Sequence, residues 1–313
     1  MRPVIEVKDL VKRYKKAEKN AVDGVSFSVD EGEFFAFLGP NGAGKTTTIS
    51  ILTTTLSKTS GSVTIAGYEL DHHATQVRQN IGVIFQNPSL DKNLTAEENI
   101  RFHAILYGLY SFSPAFSLMP ESYKKRVGEL AEVLRLQNDM NKPIKNFSGG
   151  MKRKLEIIRS LMHRPKVLFL DEPTSGLDPI SRQDLWAYLR DMRHKEKTTI
   201  FLTTHYLEEA ETADRIAIVN NGKIIAHGTP EKIKHHLIEE YVLLDAKEKK
   251  LLSKELDNLK VEYTHDDVFK VNTDKISAQK IIQAIKTPLS LIQVHNPTLE
   301  EAYVEIIKEQ QSL

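Results

Sequence analysis

Two hydrophobic periodicities alternate along this chain, and the switches between them predict its elements. Short, continuously apolar runs stand at 34–38 and 167–170, with a similar run at 199–203. A strand covered on both faces of a parallel sheet has this composition, because neither face meets water. Further strands are predicted at 4–7, 25–29, 62–66 and 81–85. Between them the apolar positions fall at helical spacing, giving a helix over 46–56, another over 186–192, and a mostly helical stretch from Thr95 to Met162. Thr95 opens that stretch with Glu98 three residues on, the reciprocal pairing of a capping box. Asn221-Gly222 predicts a tight hairpin between strands at 216–219 and 223–226. The sum is an α/β core with a helical subdomain at about 90–163.

The pattern changes after Thr229-Pro230-Glu231, which opens one more helix with proline at its first position. A boundary near Glu239 divides the chain into 1–238 and 239–313. The second part predicts a strand at 241–244, a helix carrying Leu252, Leu256 and Leu259 on one face, and two short strands turned at Asp266-Asp267. A helix with Ala278, Ile281, Ile282 and Ile285 on one face follows, then a strand at 289–294. The last helix is capped by Thr298 and Glu301 and carries Leu299, Ala302, Tyr303 and Ile306 on one side. This is a small α+β module with no catalytic constellation; its scattered histidines are expected to be surface or core groups, and its role to be regulation or docking.

Composition narrows the classes. The chain has 313 residues, 40% hydrophobic and 27% charged, which suits two globular domains with a sizeable core. Lys+Arg 43 against Asp+Glu 42 gives a net charge of +1, so no global field draws nucleic acid or anionic lipid. Cysteine is absent, which excludes disulfides, thiolate metal sites and a cysteine nucleophile. No apolar run reaches the about 18 residues of a membrane span, and the N-terminal residues lack a signal-peptide core, so the expected location is the cytoplasm.

The candidate chemistry begins at Gly39-Pro40-Asn41-Gly42-Ala43-Gly44-Lys45-Thr46-Thr47, between the strand at 34–38 and the helix that follows. Glycines at a strand-to-helix turn let backbone amides converge on phosphate oxygens, and the helix N-terminus adds its dipole. Lys45 supplies a positive charge for the outer phosphates of a nucleoside triphosphate, and Thr46 a hydroxyl for the accompanying Mg²⁺. Downstream, the strand at 167–170 ends in Asp171-Glu172 at the sheet edge where ligands of parallel sheets collect. Asp171 is placed to hold Mg²⁺ and Glu172 to polarise the attacking water.

With Asn146-Phe147-Ser148-Gly149-Gly150-Met151 opening a helix, the chain resembles the ATP-binding subunits of ABC transporters, a P-loop NTPase family. Ser148 and the glycines leave a hydroxyl and amides for an anion, though Ser148 also reads simply as a helix N-cap. The resemblance implies that two cassettes close head to tail, with each ATP between Lys45 of one subunit and Ser148, Gly149 and Gly150 of its mate. It also implies that Tyr14 stacks on adenine and that Gln86 touches Mg²⁺ or water and relays to a transmembrane partner. Ser175-Gly176-Leu177-Asp178 matches the loop that crosses the dimer interface, and His205 the switch histidine at the γ-phosphate. The match runs from the first residues to about Pro230.

Phe147, Met151 and the terminal segment 296–303 resemble subunits of the daunorubicin-resistance and sodium-export type, which implies an exporter ATPase. The implied partners are separate permease subunits, which hold the chain at the inner face of the membrane and line the cargo path, and a second ATP-binding subunit, most simply an identical one. No specific nucleic acid is expected, and Lys152, Arg153 and Lys154 are expected to form a charged outward face. Two alternatives stay open: a permease-free cassette ATPase of translation or DNA repair, and an import ATPase. The apolar stretch 111–120, with Pro114 and Pro120, is expected either to fold back on its domain or to meet the permease or membrane.

Overall fold

The computed structural model describes residues 3–85, 89–237, 240–273, 276–295 and 298–312. The chain divides into two compact units, Met1–His227 and Gly228–Leu313. In the first, β1 (Ile5–Lys12), β2 (Val22–Val29), β4 (Ser60–Ile65) and β5 (Tyr68–Glu69) form an antiparallel sheet in the order β2-β1-β4-β5. β1 outruns the predicted 4–7 because Asp9, with φ 48°, breaks the register and lets pairing resume at Leu10. A second sheet has the order β10-β9-β3-β8-β7-β6, built from β3 (Phe34–Leu38), β6 (Ile81–Ile84), β7 (Val167–Asp171), β8 (Thr199–Thr204), β9 (Arg215–Asn220) and β10 (Lys223–Gly228). Its pairs from β9 across to β6 are parallel. Every residue of β3, β7 and β8 is buried, as continuous apolar runs require.

Helix α1 (Lys45–Leu52) buries Ile49, Ile51 and Leu52 in one core with residues of both sheets. That core centres on phenylalanines: Phe201 lies 5.5 Å from Phe35, 5.3 Å from Phe169 and 5.8 Å from Phe27, ring centre to ring centre. Each such pair adds about 0.5–1.5 kcal/mol beyond its area burial, so the strand carrying the phosphate loop is held firmly. The helix is shorter than the expected 46–56, since Thr54 turns the chain out at φ 63°. After α2 (Ala74–Asn80), the helical part comprises α3 (Ala96–Leu106), α4 (Glu121–Val133) and α5 (Gly149–Leu161). The Thr95 capping box is formed in both directions. In the 111–120 stretch, Arg101 donates to the Ser113 carbonyl at 2.7 Å and Met119 is buried, while Phe112 and Leu118 stay exposed.

α6 (Pro179–Glu196) and the short α7 (Leu207–Ala210) complete the first unit. The second unit begins with α8 (Pro230–Leu237), which packs against the last helix, α11 (Leu299–Ser312). That contact, with Ile233, Leu299, Ala302 and Ile306 buried, is why the division falls at His227–Gly228 rather than near Glu239. Between those helices β11 (Tyr241–Ala246), α9 (Lys249–Leu259), β12 (Tyr263–His265), β13 (Phe269–Asn272), α10 (Ala278–Ala284) and β14 (Leu289–His295) follow in βαββαβ order. The antiparallel order β12-β13-β11-β14 makes this a split βαβ, or ferredoxin-like, sheet. Val242, Leu244, Leu252, Leu256, Phe269, Val271 and Ile281 form its core. Among the described residues, no helix is long and apolar enough to cross a membrane.

Candidate functional site

Parallel register brings the chemistry to one edge. Leu38 pairs with Thr204, and Asp171 with Thr203, so β3, β7 and β8 deliver the phosphate loop, Asp171-Glu172 and His205 from adjacent strand ends. The loop itself is braced from behind. Gly222 donates its amide to the Ala43 carbonyl at 3.0 Å, and its own carbonyl accepts from Asp23 at 2.8 Å. The turn that supplies Gly222 has positive φ at both Asn221 and Gly222, as the sequence pair demands. Gly44 takes φ 105°, and a Cβ there would run into the Ala21 carbonyl, so only glycine fits where the loop enters α1.

Lys45 is buried and donates Nζ to the carbonyls of Gly39 at 2.5 Å and Pro40 at 3.0 Å. Burial lowers its pKa from the ordinary lysine value, with the charges of Glu172 and Asp171 pulling it back up. Asp171 shows the opposite imbalance: burial raises its carboxyl, a 2.5 Å hydrogen bond from Thr203 holds it down, and Glu172 pushes it up again. A buried carboxylate held above its usual range, with the Thr46 hydroxyl exposed at the start of α1, is a hard-oxygen donor set that fits Mg²⁺. Glu172 lies next to it in the left-handed region, φ 48°, with Oε1 2.9 Å from Nδ1 of His205. Tyr14 is half exposed and its hydroxyl is 3.2 Å from Thr47, which places the ring beside the phosphate loop.

Ser148 caps α5 by accepting from the Met151 amide at 3.2 Å. Gly149 is different, because among the described residues a Cβ there would meet nothing within 4 Å, so no packing against them requires glycine. Asp178 caps α6, accepting from the Ser181 amide at 2.9 Å and its hydroxyl at 2.6 Å, ahead of Pro179. Gln86 lies outside the described residues.

Two buried charges at this edge escaped the sequence reading. Arg153 does not belong to an outward charged face; it is buried, and its guanidinium donates to the carbonyls of Phe85, Asp171, Glu172 and Pro173. Glu209, four residues after His205, is buried and accepts from the hydroxyls of Thr174 and Thr204, 2.8 Å for the latter. Spacing gave no signal for Arg153: the residues three and seven further along its helical stripe, Glu156 and Ser160, are polar and read as outward, yet all three are buried.

The fold and sequence have clear relatives among known proteins. The ABC transporter family model matches residues 22–175. The Nod factor export ATP-binding protein I of Ralstonia nicotianae is 40% identical over 237 residues, covering 75% of this chain and 70% of that protein. The doxorubicin resistance ATP-binding protein of Mycobacterium tuberculosis is 35% identical over 316 residues, covering 96% and 92%. Among solved structures, a dimeric ATP-binding cassette in a post-hydrolysis state, bound to ADP and Pi, superposes with a TM-score of 0.65 at 27% identity, over 72% of this chain and 98% of that one. The chain belongs to the ABC transporter family. It is an ATP-binding cassette that hydrolyses ATP.

Proposed function

We propose that this chain is the ATPase subunit of an exporter, closing head to tail on a second copy of itself and pulling on a separate permease at the inner face of the membrane. The observation that carries this is the convergence of Lys45, Asp171, Glu172 and His205 at the C-terminal ends of adjacent parallel strands. Relatives named for Nod factor export and doxorubicin resistance favour the export direction. The open space around Gly149 supports a partner, since a glycine with no internal reason suits a surface that another molecule approaches closely.

Lys45 balances charge on the outer phosphates, exchanging its two carbonyl partners for phosphate oxygens. Glu172 takes the proton of the attacking water, and His205, paired to it, orients that carboxylate and reaches the γ-phosphate. Tyr14 stacks on the adenine, while Ser148, Gly149, Gly150 and Asp178 face the mate's nucleotide and loop. Mg²⁺, when bound, would be held by Thr46 and Asp171, with Gln86 added by the family resemblance alone, and would neutralise phosphate charge.

The test uses purified Glu172→Gln and a tagged wild-type chain. The variant should bind ATP with wild-type affinity and turn over about 10²-fold or more slowly, because general bases contribute roughly 10² to 10⁴. The tagged chain should co-purify with a multispanning membrane protein. Normal turnover by the variant removes Glu172 from its role, and co-purification with ribosomes or DNA in place of a membrane protein removes the permease.

A further inference from the structure

Glu172 holds a backbone conformation that a non-glycine residue does not choose unaided. Its φ of 48° is of the kind that costs of order 1–3 kcal/mol and persists only where surrounding groups over-determine it. Several groups do so here, among them the Ser175 amide, which donates to the Glu172 carbonyl at 3.2 Å. The Glu172 amide donates to the Thr203 carbonyl at 2.9 Å, and the Glu172 carbonyl accepts from Arg153 Nη2 at 2.9 Å. The same Nη2 also reaches the Asp171 carbonyl at 3.0 Å, Nε reaches Pro173 at 2.8 Å, and Nη1 reaches Phe85. One planar fork therefore gathers four carbonyls, a geometry that a lysine ammonium cannot reproduce.

The fork is itself fixed. Glu156, also buried, pairs with Arg153 Nη1 at 3.4 Å and accepts from the Ser89 amide at 2.9 Å. Arg159, one turn further along α5, donates to the Ser89 carbonyl at 2.8 Å and its hydroxyl at 2.6 Å. Phe85 and Ser89, on either side of residues 86–88, are thus both tied to the helix that opens at Ser148, and that helix is tied through Arg153 to the main chain of Glu172.

Resting on the assignment of Glu172 as general base, we propose that Arg153 is a positioning residue for the reaction, whose guanidinium holds the Glu172 backbone in its left-handed conformation and ties it to α5. Arg153 touches no reacting atom; its effect on turnover passes through the placement of the Glu172 carboxylate. Movement of α5, whose first turn faces the mate's nucleotide, then changes the aim of the base.

The experiment is a double-mutant cycle in the full chain, with Arg153→Lys made in the wild-type and in the Glu172→Gln background, reading single-turnover ATP hydrolysis, ATP affinity and the thermal midpoint. Interacting residues give non-additive effects and independent ones add. Arg153→Lys should lower the wild-type rate about tenfold or more, since a misplaced catalytic group loses rate at this scale. ATP affinity should stay within about threefold, and the same substitution should slow the Glu172→Gln protein by less than about threefold. If Arg153→Lys does not give folded protein, Arg153→Met with Glu156→Gln removes the buried pair together and leaves no ion unpaired. A wild-type rate in the Arg153 variant overturns the proposal, as does a loss traced to ATP affinity or one that persists in full on top of Glu172→Gln. Normal turnover by Glu172→Gln alone overturns the base assignment and this inference with it.

Discussion

Asp171 illustrates how a single residue can be wrong for the fold and right for the chemistry. Its carboxyl is held above the usual range by burial, so folding favours the neutral form more than the unfolded chain does. As pH rises from the unfolded value of 3.8 through the higher folded one, the unfolded chain releases its proton first and stability falls. The full penalty is therefore in place at neutral pH. Asp171→Asn removes that charge while keeping an oxygen for the Thr203 hydroxyl. In EDTA and without nucleotide, at neutral pH, its thermal midpoint should lie a few degrees above wild type, and its ATPase should be lost. A midpoint below wild type would show that the carboxylate stabilises the fold after all. The type and spacing of Lys45, Asp171, Glu172 and His205 were legible in the sequence. The burial that sets this penalty was not, because it comes from the strands on either side, β6 and β8, which lie far away in the sequence.

At the scale of elements, α3 and the end of α5 meet through His103, Tyr107 and His163. The Tyr107 ring lies 4.2 Å from His103 and 5.4 Å from His163, centre to centre. Nδ1 of each histidine is buried without a hydrogen-bond partner. Burial, aided by Arg159 and His163, pushes His103 down from 6.5 to about 3, and burial also lowers His163. These are depressed bases, so their neutral forms belong to the fold. Stability is complete above about pH 6.5 and is lost as pH falls from there towards about 3, by at most about 1.4 kcal/mol per pH unit for each histidine. Denaturant unfolding between pH 7 and pH 5 should show this decline, and His103→Leu should flatten it. An unchanged slope would place the titration elsewhere. Helical spacing predicted that residues 95–162 form helices, yet it could not say that α3 and α5 would enclose two histidines, nor that Arg153 faces inward. Outward is the ordinary place for an arginine flanked by lysines.

At the scale of the whole molecule, the signature turn separates what the monomer needs from what a pair needs. A Cβ on Gly149 projects into open space, and alanine is the better helix former there. Gly149→Ala should therefore leave the thermal midpoint of the monomer unchanged or slightly raised. In the Glu172→Gln background with ATP, the same change should weaken the dimer seen by analytical ultracentrifugation. Undiminished dimerisation would mean that nothing approaches Gly149 closely. The chain's division also belongs to this scale. Thr229-Pro230 announced a helix correctly, but its assignment to the second unit depends on α8 meeting α11, whose partners lie far along the sequence.

The sequence alone determined the parts that neighbouring residues can build: the phosphate loop between strand and helix, the strand ending in two acids, the capped helices and the Asn221-Gly222 turn. Each is a local solution to a local constraint on φ, hydrogen bonding or burial. The tertiary structure decided what distant segments do to one another. Arg153 finds its acceptors at the ends of two strands, 68 residues away at Phe85 and 18 at Asp171. No pattern of spacing reveals that, because a charge turns inward only where folding has already gathered the carbonyls to receive it.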